Sequence, residues 1–136
     1  MDIAAFYHSI RPCYPELKGQ VVIITGSARG IGKGIALRLA REGMQVVIHG
    51  HVQAETDATA AQLIGLGAEV LAVTANFRQE AEVYRVFDET MQTFGKLNLL
   101  VNNAAELGRG KIFDVGLPLL ESTASFACGD AQQKTN

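Results

Sequence analysis

The sequence predicts an α/β fold: a doubly wound parallel sheet with helices on both faces and strand order 3-2-1-4. Three observations carry this. Short apolar, β-branched runs alternate with segments of helical period from Gln20 to Val101. Parallel strands need a crossover between them, and the alternation supplies a helix each time. A glycine-rich turn, Gly26-Ser27-Ala28-Arg29-Gly30-Ile31-Gly32, stands between the first strand and the first crossover helix.

Residues 1–18 are expected to be an irregular arm, because Pro12 and Pro15 each remove a backbone donor and restrict the preceding residue. Tyr14 and Lys18 have a Tyr-x-x-x-Lys spacing, but Pro15 inside it disfavours a helix that would align them. Gln20 to Thr25 is apolar on both faces and reads as a fully buried strand. In the helix that follows, Ile31, Ile35 and Leu39 form an apolar stripe flanked by Ala36 and Ala40. Arg38 and Arg41 are left for water, and Gly43 ends the helix.

Gln45 to His49 is the second strand. A helix of small residues from Ala54 to Leu63 is broken by Gly65 and Gly67, and Glu69 to Thr74 is the third strand. Gln79 to Phe94 has helical period, with Val83, Tyr84, Phe87, Met91 and Phe94 as its expected core face and Gly95 as its stop. Leu97 to Val101 is the fourth strand and runs into Asn102-Asn103-Ala104-Ala105. Beyond it the pattern weakens: Ile112, Phe113 and Val115 show no clear period, and residues 122–136 are small and polar. The expected organisation is an arm (1–18), one nucleotide-binding domain (19–121) and an irregular tail (122–136).

Crossovers between parallel strands are right-handed, and the ligand of such a sheet lies outside the strands' carboxyl ends where the order reverses. Here the reversal falls between the first and fourth strands. The glycine turn and Asn102 to Ala105 therefore meet, although they are far apart in sequence.

An apolar content of 48% with 19% charged residues suits a globular protein, and the net charge of −2 gives no reason to expect nucleic-acid or membrane partners. Cys13 and Cys128 have no metal-ligand spacing and read as reduced thiols, so no metal is expected. No signal peptide and no apolar run of membrane-spanning length is seen, and a cytoplasmic location is expected by default.

A helix N-terminus offers unpaired N–H groups and the positive end of the helix dipole, both suited to the pyrophosphate of a dinucleotide. Glycines let the backbone approach it closely. The spacing is Thr-Gly-x-x-x-Gly-x-Gly, and with Asn102-Asn103-Ala104 after the fourth strand it resembles the short-chain dehydrogenase/reductase family over about residues 17–121. The resemblance implies a Rossmann-like domain, a nicotinamide dinucleotide, and hydride transfer between it and a small carbonyl or alcohol substrate. It implies cofactor contacts at Gly26, Ser27, Arg29, Gly30, Ile31 and Gly32, and at Asn103, Ala104 and Ala105. Asn76 and Phe77, at the end of the third strand, are expected beside the adenine. Two departures stand out: Ala105 replaces a usual Gly, and Asn76 a usual Asp.

An acid at the end of the second strand would pair with the ribose hydroxyls of NAD and repel a 2′-phosphate. This chain has His49-Gly50-His51 there, and Arg29 adds positive charge nearby. NADP(H) is therefore expected over NAD(H). His49 is expected to be a solvated strand-end residue. His51 stands between that role and a phosphate contact.

The family's proton-transfer Tyr-x-x-x-Lys and its Ser follow the Asn-Asn-Ala segment, and no such pattern occurs between Ala105 and Asn136. No catalytic residue is assigned. The chain is expected to be a cofactor-binding half, truncated after the fourth strand and inactive alone. A non-catalytic nucleotide-binding or regulatory module is the alternative. The fourth strand then leaves Leu99-Leu100-Val101 as an exposed apolar edge, through which self-association is expected.

Overall fold

The computed structural model describes residues 2–105. Helix Ile3–Ser9 (α1) and a 3-10 turn, Pro15–Leu17, precede strand Val21–Ile24 (β1). Helix Gly30–Arg41 (α2), strand Gln45–Gly50 (β2), helix Gln53–Gly65 (α3) and strand Val70–Thr74 (β3) follow. Helix Glu80–Phe94 (α4) and strand Leu99–Val101 (β4) complete the described chain. All neighbouring strands are parallel, in the order β3-β2-β1-β4 expected from the sequence.

The register sets Leu99, Val22, Val46 and Val70 in one row and Leu100, Ile23, Val47 and Leu71 in the next. Alternate residues along a strand face opposite sides. Val22, Ile24, Val46 and Ile48 therefore pack with Ala36, Leu37, Ala40 and Leu63 of α2 and α3. Ile23, Val47 and Val73 pack with Val86 of α4. β1 is buried on both faces along its whole length, as its unbroken apolar run requires. Burying each of these Val or Ile side chains contributes roughly 1.5–3 kcal/mol.

Both α2 and α4 bury part of the expected face, since Ile35 and Leu39 of α2 and Phe87 and Phe94 of α4 pack against the core, but the most deeply buried residues lie beside it. On α2 the buried residues are Gly32, Ala36, Leu37 and Ala40, while Ile31 is 80% exposed. Gly32 lies against the preceding turn, where a Cβ would come within 2.4 Å of the Gly26 carbonyl oxygen. That close approach selects the small-residue stripe and turns Ile31 out. On α4, Val86 and Thr90 are buried, and Met91 is half-exposed. Thr90 is accommodated because its hydroxyl donates to the Val86 carbonyl at 2.7 Å. Phe87 and Phe94 remain at the margin of the α4 core.

The segment expected to be irregular contains α1. Asp2 caps it, accepting from the Ala4 and Ala5 N–H groups at 3.0 and 3.2 Å. Pro12 and Pro15 lie beyond its end, and Pro15 opens the 3-10 turn, where a missing N–H costs nothing. The arm is tied to α2. The buried Glu42 carboxylate accepts from the Cys13 and Tyr14 N–H groups, pairs with Arg38, and so has its pKa lowered despite burial. Arg41 donates to the Ile10 carbonyl and lies over the buried Tyr7 ring.

β4 is an edge strand of the described sheet, with Leu99 exposed and Leu100 and Val101 half-buried. Ile112, Phe113 and Val115, the expected tail at 122–136 and Cys128 lie outside the described residues. Among the described residues no helix is long and apolar enough to cross a membrane.

Candidate functional site

At the carboxyl end of β1 the chain makes the glycine turn with positive φ at Gly26 (64°) and Gly30 (62°), a backbone region that side-chain-bearing residues rarely adopt. Ser27 is fully buried and ties the turn to β2. Its hydroxyl donates to the Ile24 carbonyl (2.6 Å) and accepts from the His49 N–H (3.0 Å), and its own N–H donates to the His49 carbonyl (2.8 Å). Ala28 accepts from the Thr59 hydroxyl of α3 at 2.6 Å. Gly50 lies so close to Ala28 that an added Cβ would stand 2.8 Å from the Ala28 Cβ. Arg29 and His51, the residues after this contact, are both exposed.

The first turn of α2 contains Gly30, Ile31 and Gly32. Arg29 is its N-cap, no side chain caps it, and no acidic residue lies in it. At Gly30 an added Cβ would meet nothing within 4 Å, so this part of the turn opens outward. The arrangement fits a pyrophosphate: an uncapped helix start, no competing carboxylate, and glycine where a ligand would press on the backbone.

The segment after β4 closes on this turn. The Thr25 hydroxyl oxygen accepts from the Asn103 and Ala104 N–H groups at 3.0 and 2.9 Å. Asn103 Nδ2 donates to the Thr25 and Gly26 carbonyls, at 3.1 Å each. An added Cβ on Gly26 would stand 3.0 Å from the Ala104 Cα. Two segments separated by more than seventy residues in sequence are thus one unit. Ala105 is exposed just past them.

His49 departs from expectation: it is fully buried, not solvated. Its Nδ1 accepts from the Gly26 N–H at 3.0 Å, and Nε2 lies 3.0 Å from the Ala75 carbonyl. An N–H can only donate and a carbonyl only accept, so the ring is the neutral Nε2–H tautomer. Burial holds its pKa at about 4, with the charges of His51 and Arg85 acting in the same direction against the Ala75 hydrogen bond. The Phe77 ring stacks on His49, with centroids 3.9 Å apart and planes 13° apart. Asn76 is exposed, and its side-chain oxygen accepts from the Arg78 N–H in the turn that enters α4.

The structure therefore brings Gly26, Ser27, Gly32, Asn103 and Ala104 into direct contact, and it joins Phe77 to them through His49. Arg29, Gly30, Ile31, His51 and Asn76 line the open side of the same carboxyl ends. Sequence reading passed over Thr25, Gly50, Thr59 and the internal role of His49. Thr25 stands beside the motif glycine, which is a usable signal. A lone polar residue at a strand end carries no mark of burial. Among the described residues no group of three or more His, Cys, Asp or Glu side chains is placed to hold a metal ion.

Comparison with known proteins agrees with this geometry. A family model described as short chain dehydrogenase matches residues 20–122. The chain is 43% identical over 90 residues to a 3-oxoacyl-[acyl-carrier-protein] reductase of Synechocystis sp., covering 65% of this chain and 36% of that protein. It is 42% identical over 89 residues to dehydrogenase/reductase SDR family member 1 of Mus musculus, covering 65% of this chain and 28% of that protein. The crystal structure of a short chain dehydrogenase from Mycobacterium smegmatis superposes with a TM-score of 0.73 at 32% identity, covering 81% of this chain and 47% of that one. The chain spans less than half the length of each of these relatives.

Proposed function

This chain belongs to the short chain dehydrogenase family of oxidoreductases, and on that premise we propose that it binds NADP(H) in preference to NAD(H). The observation that carries the reading is the turn itself. The start of α2 has no side-chain cap and no acidic residue in its first turn, while Asn103 and Thr25 hold the preceding backbone in place. The pyrophosphate sits at the amides of this helix start, Gly30 admits it without a clash, and the exposed Ile31 is covered by the bound cofactor. The adenine lies towards Asn76 and Phe77.

The preference for NADP(H) rests on charge. β2 ends in Gly50 with His51 and Val52 after it, and no carboxylate follows directly to repel a 2′-phosphate. Arg29 and His51 are exposed beside the Ala28–Gly50 contact and supply donors there.

When bound, the nicotinamide supplies a hydride for a carbonyl or accepts one from an alcohol. What this chain contributes is binding and orientation. Proton exchange with the substrate needs a positioned acid or base. The tyrosines are Tyr7, Tyr14 and Tyr84. Tyr7 is buried in α1, Tyr14 flanks the 3-10 turn, and Tyr84 on α4 donates to Glu80. We therefore read these 136 residues as a cofactor-binding unit of a cytoplasmic carbonyl/alcohol oxidoreductase, without turnover of their own.

Fluorescence titration with NADPH and NADH tests this. Saturable binding of both, tighter for NADPH, is the expected result, and Arg29→Asp should reverse the order. No saturable signal with either would sink the proposal. A clear ketone-reductase rate from the purified chain would overturn the statement on turnover.

A further inference from the structure

We propose that His49 is a positioning residue for the dinucleotide: its ring sets the Gly26 peptide that shapes the pyrophosphate turn and joins it to Phe77 at the adenine end. The inference rests on the cofactor reading above and adds to it a buried residue that lies beneath the ligand surface. Gly26 is held from two sides. Its carbonyl accepts from Asn103 Nδ2 at 3.1 Å and its N–H donates to His49 Nδ1 at 3.0 Å. These two bonds fix the orientation of the peptide planes on either side of a residue at φ 64°, and with them the path of the backbone into Gly30–Gly32.

The other edge of the ring is also held. Nε2 donates to the Ala75 carbonyl at the end of β3, and the ring face carries Phe77. The imidazole therefore spans from the end of β1 to the end of β3, under the exposed residues His51 and Asn76. Pressure on Phe77 from a stacked base reaches Gly26 through one rigid, fully buried ring. An apolar residue of the same size would keep the stack and lose the acceptor, leaving the Gly26 N–H without its partner.

Two substitutions separate the acceptor from the bulk. His49→Asn keeps an oxygen near the position of Nδ1, and His49→Phe keeps a flat ring and removes the acceptor. With fold retention checked by circular dichroism, calorimetric titration with NADP+ at neutral pH should show His49→Asn binding close to the unsubstituted chain. His49→Phe should bind about tenfold more weakly. Equal binding by all three proteins overturns the inference, as does an equal loss in both variants. No binding by the unsubstituted chain overturns the cofactor reading and this inference with it. If His49→Phe does not fold, nitrogen NMR of the unsubstituted chain decides. The His49 ring should be protonated on Nε2 alone, and its resonances should shift together with the Gly26 amide as NADP+ is added. Protonation on Nδ1, or resonances that NADP+ leaves unmoved, overturns the inference.

Discussion

Asn103 donates twice to Thr25: its N–H to the hydroxyl Oγ1 at 3.0 Å and its Nδ2 to the carbonyl at 3.1 Å. This pair joins the end of β1 to the end of β4, so the turn and the segment that borders it form or fail together. Thr25→Val keeps the side-chain shape, leaves the Ala104 N–H without its acceptor and leaves the Asn103 N–H only its bond to the Val101 carbonyl at 3.1 Å. It should destabilise the fold by about 1–3 kcal/mol, read as a lower urea midpoint, whereas Thr25→Ser should restore most of the loss.

Two glycines of α2 should respond in opposite directions. At Gly32 an added Cβ would lie 2.4 Å from the Gly26 carbonyl oxygen and 2.6 Å from Asn103 Nδ2. The backbone must then move, and Gly32→Ala should lower the melting temperature and abolish dinucleotide binding together. Gly34 has nothing within 4 Å of its added Cβ and no positive φ. Gly34→Ala should stabilise by about 0.4–1 kcal/mol through helix propensity and chain entropy. Thermal melts of the two variants check both signs.

His49 makes stability depend on pH. Its folded pKa of about 4 lies below the ordinary 6.5, so the unfolded chain binds the extra proton between these values. The contribution is fully present above about pH 6.5 and is lost as pH falls towards 4, for a total of about 3 kcal/mol. Urea midpoints measured from neutral pH down to 4 should fall accordingly. The difference between the unsubstituted chain and His49→Asn isolates this residue from Glu42 and Glu82, whose lowered pKa values also cost stability in acid.

The arm depends on one carboxylate. Glu42 accepts from Cys13 N–H at 3.0 Å and from Tyr14 N–H at 2.9 Å while paired with Arg38. In Glu42→Ala the Cys13 and Tyr14 amides should exchange with solvent at least about tenfold faster, as expected for losing bonds to a charged acceptor. Exchange in β1 and β2 should change far less. Equal acceleration throughout the sheet would show that Glu42 supports the whole fold and not the arm.

Much of the architecture was legible before the structure. The apolar runs at Val21–Ile24 and Gln45–Gly50 contain too few polar residues to be surface strands, and the helices between them force a parallel arrangement. Gly43, Gly67 and Gly95 all take positive φ where helices end. The faces of α2 and α4 were legible in part: Ile35, Leu39, Phe87 and Phe94 pack on the core, while Ile31 and Met91 turn out. Periodicity places a stripe to within about a residue's rotation, and close contacts such as that of Gly32 decide the rest. Helix α1 was not legible: a helix of seven residues spans only about two turns, too short for a clear apolar period, and its one local mark is the Asp2 cap.

The sequence by itself determined the strand order, the place of the glycine turn and its meeting with Asn103. The place of the turn follows from local periodicity; the order and the meeting follow from the doubly wound pattern that the motifs resemble, in which the order reverses between the first and fourth strands. Only the tertiary structure decided that Gly32 faces inward and Ile31 outward, that Thr25 binds the segment after β4, and that His49 is a buried clamp under Gly26. These depend on distances of a few ångströms between residues that are remote along the chain. A polar side chain at a strand end reads alike in sequence whether water or a Gly26 amide satisfies it.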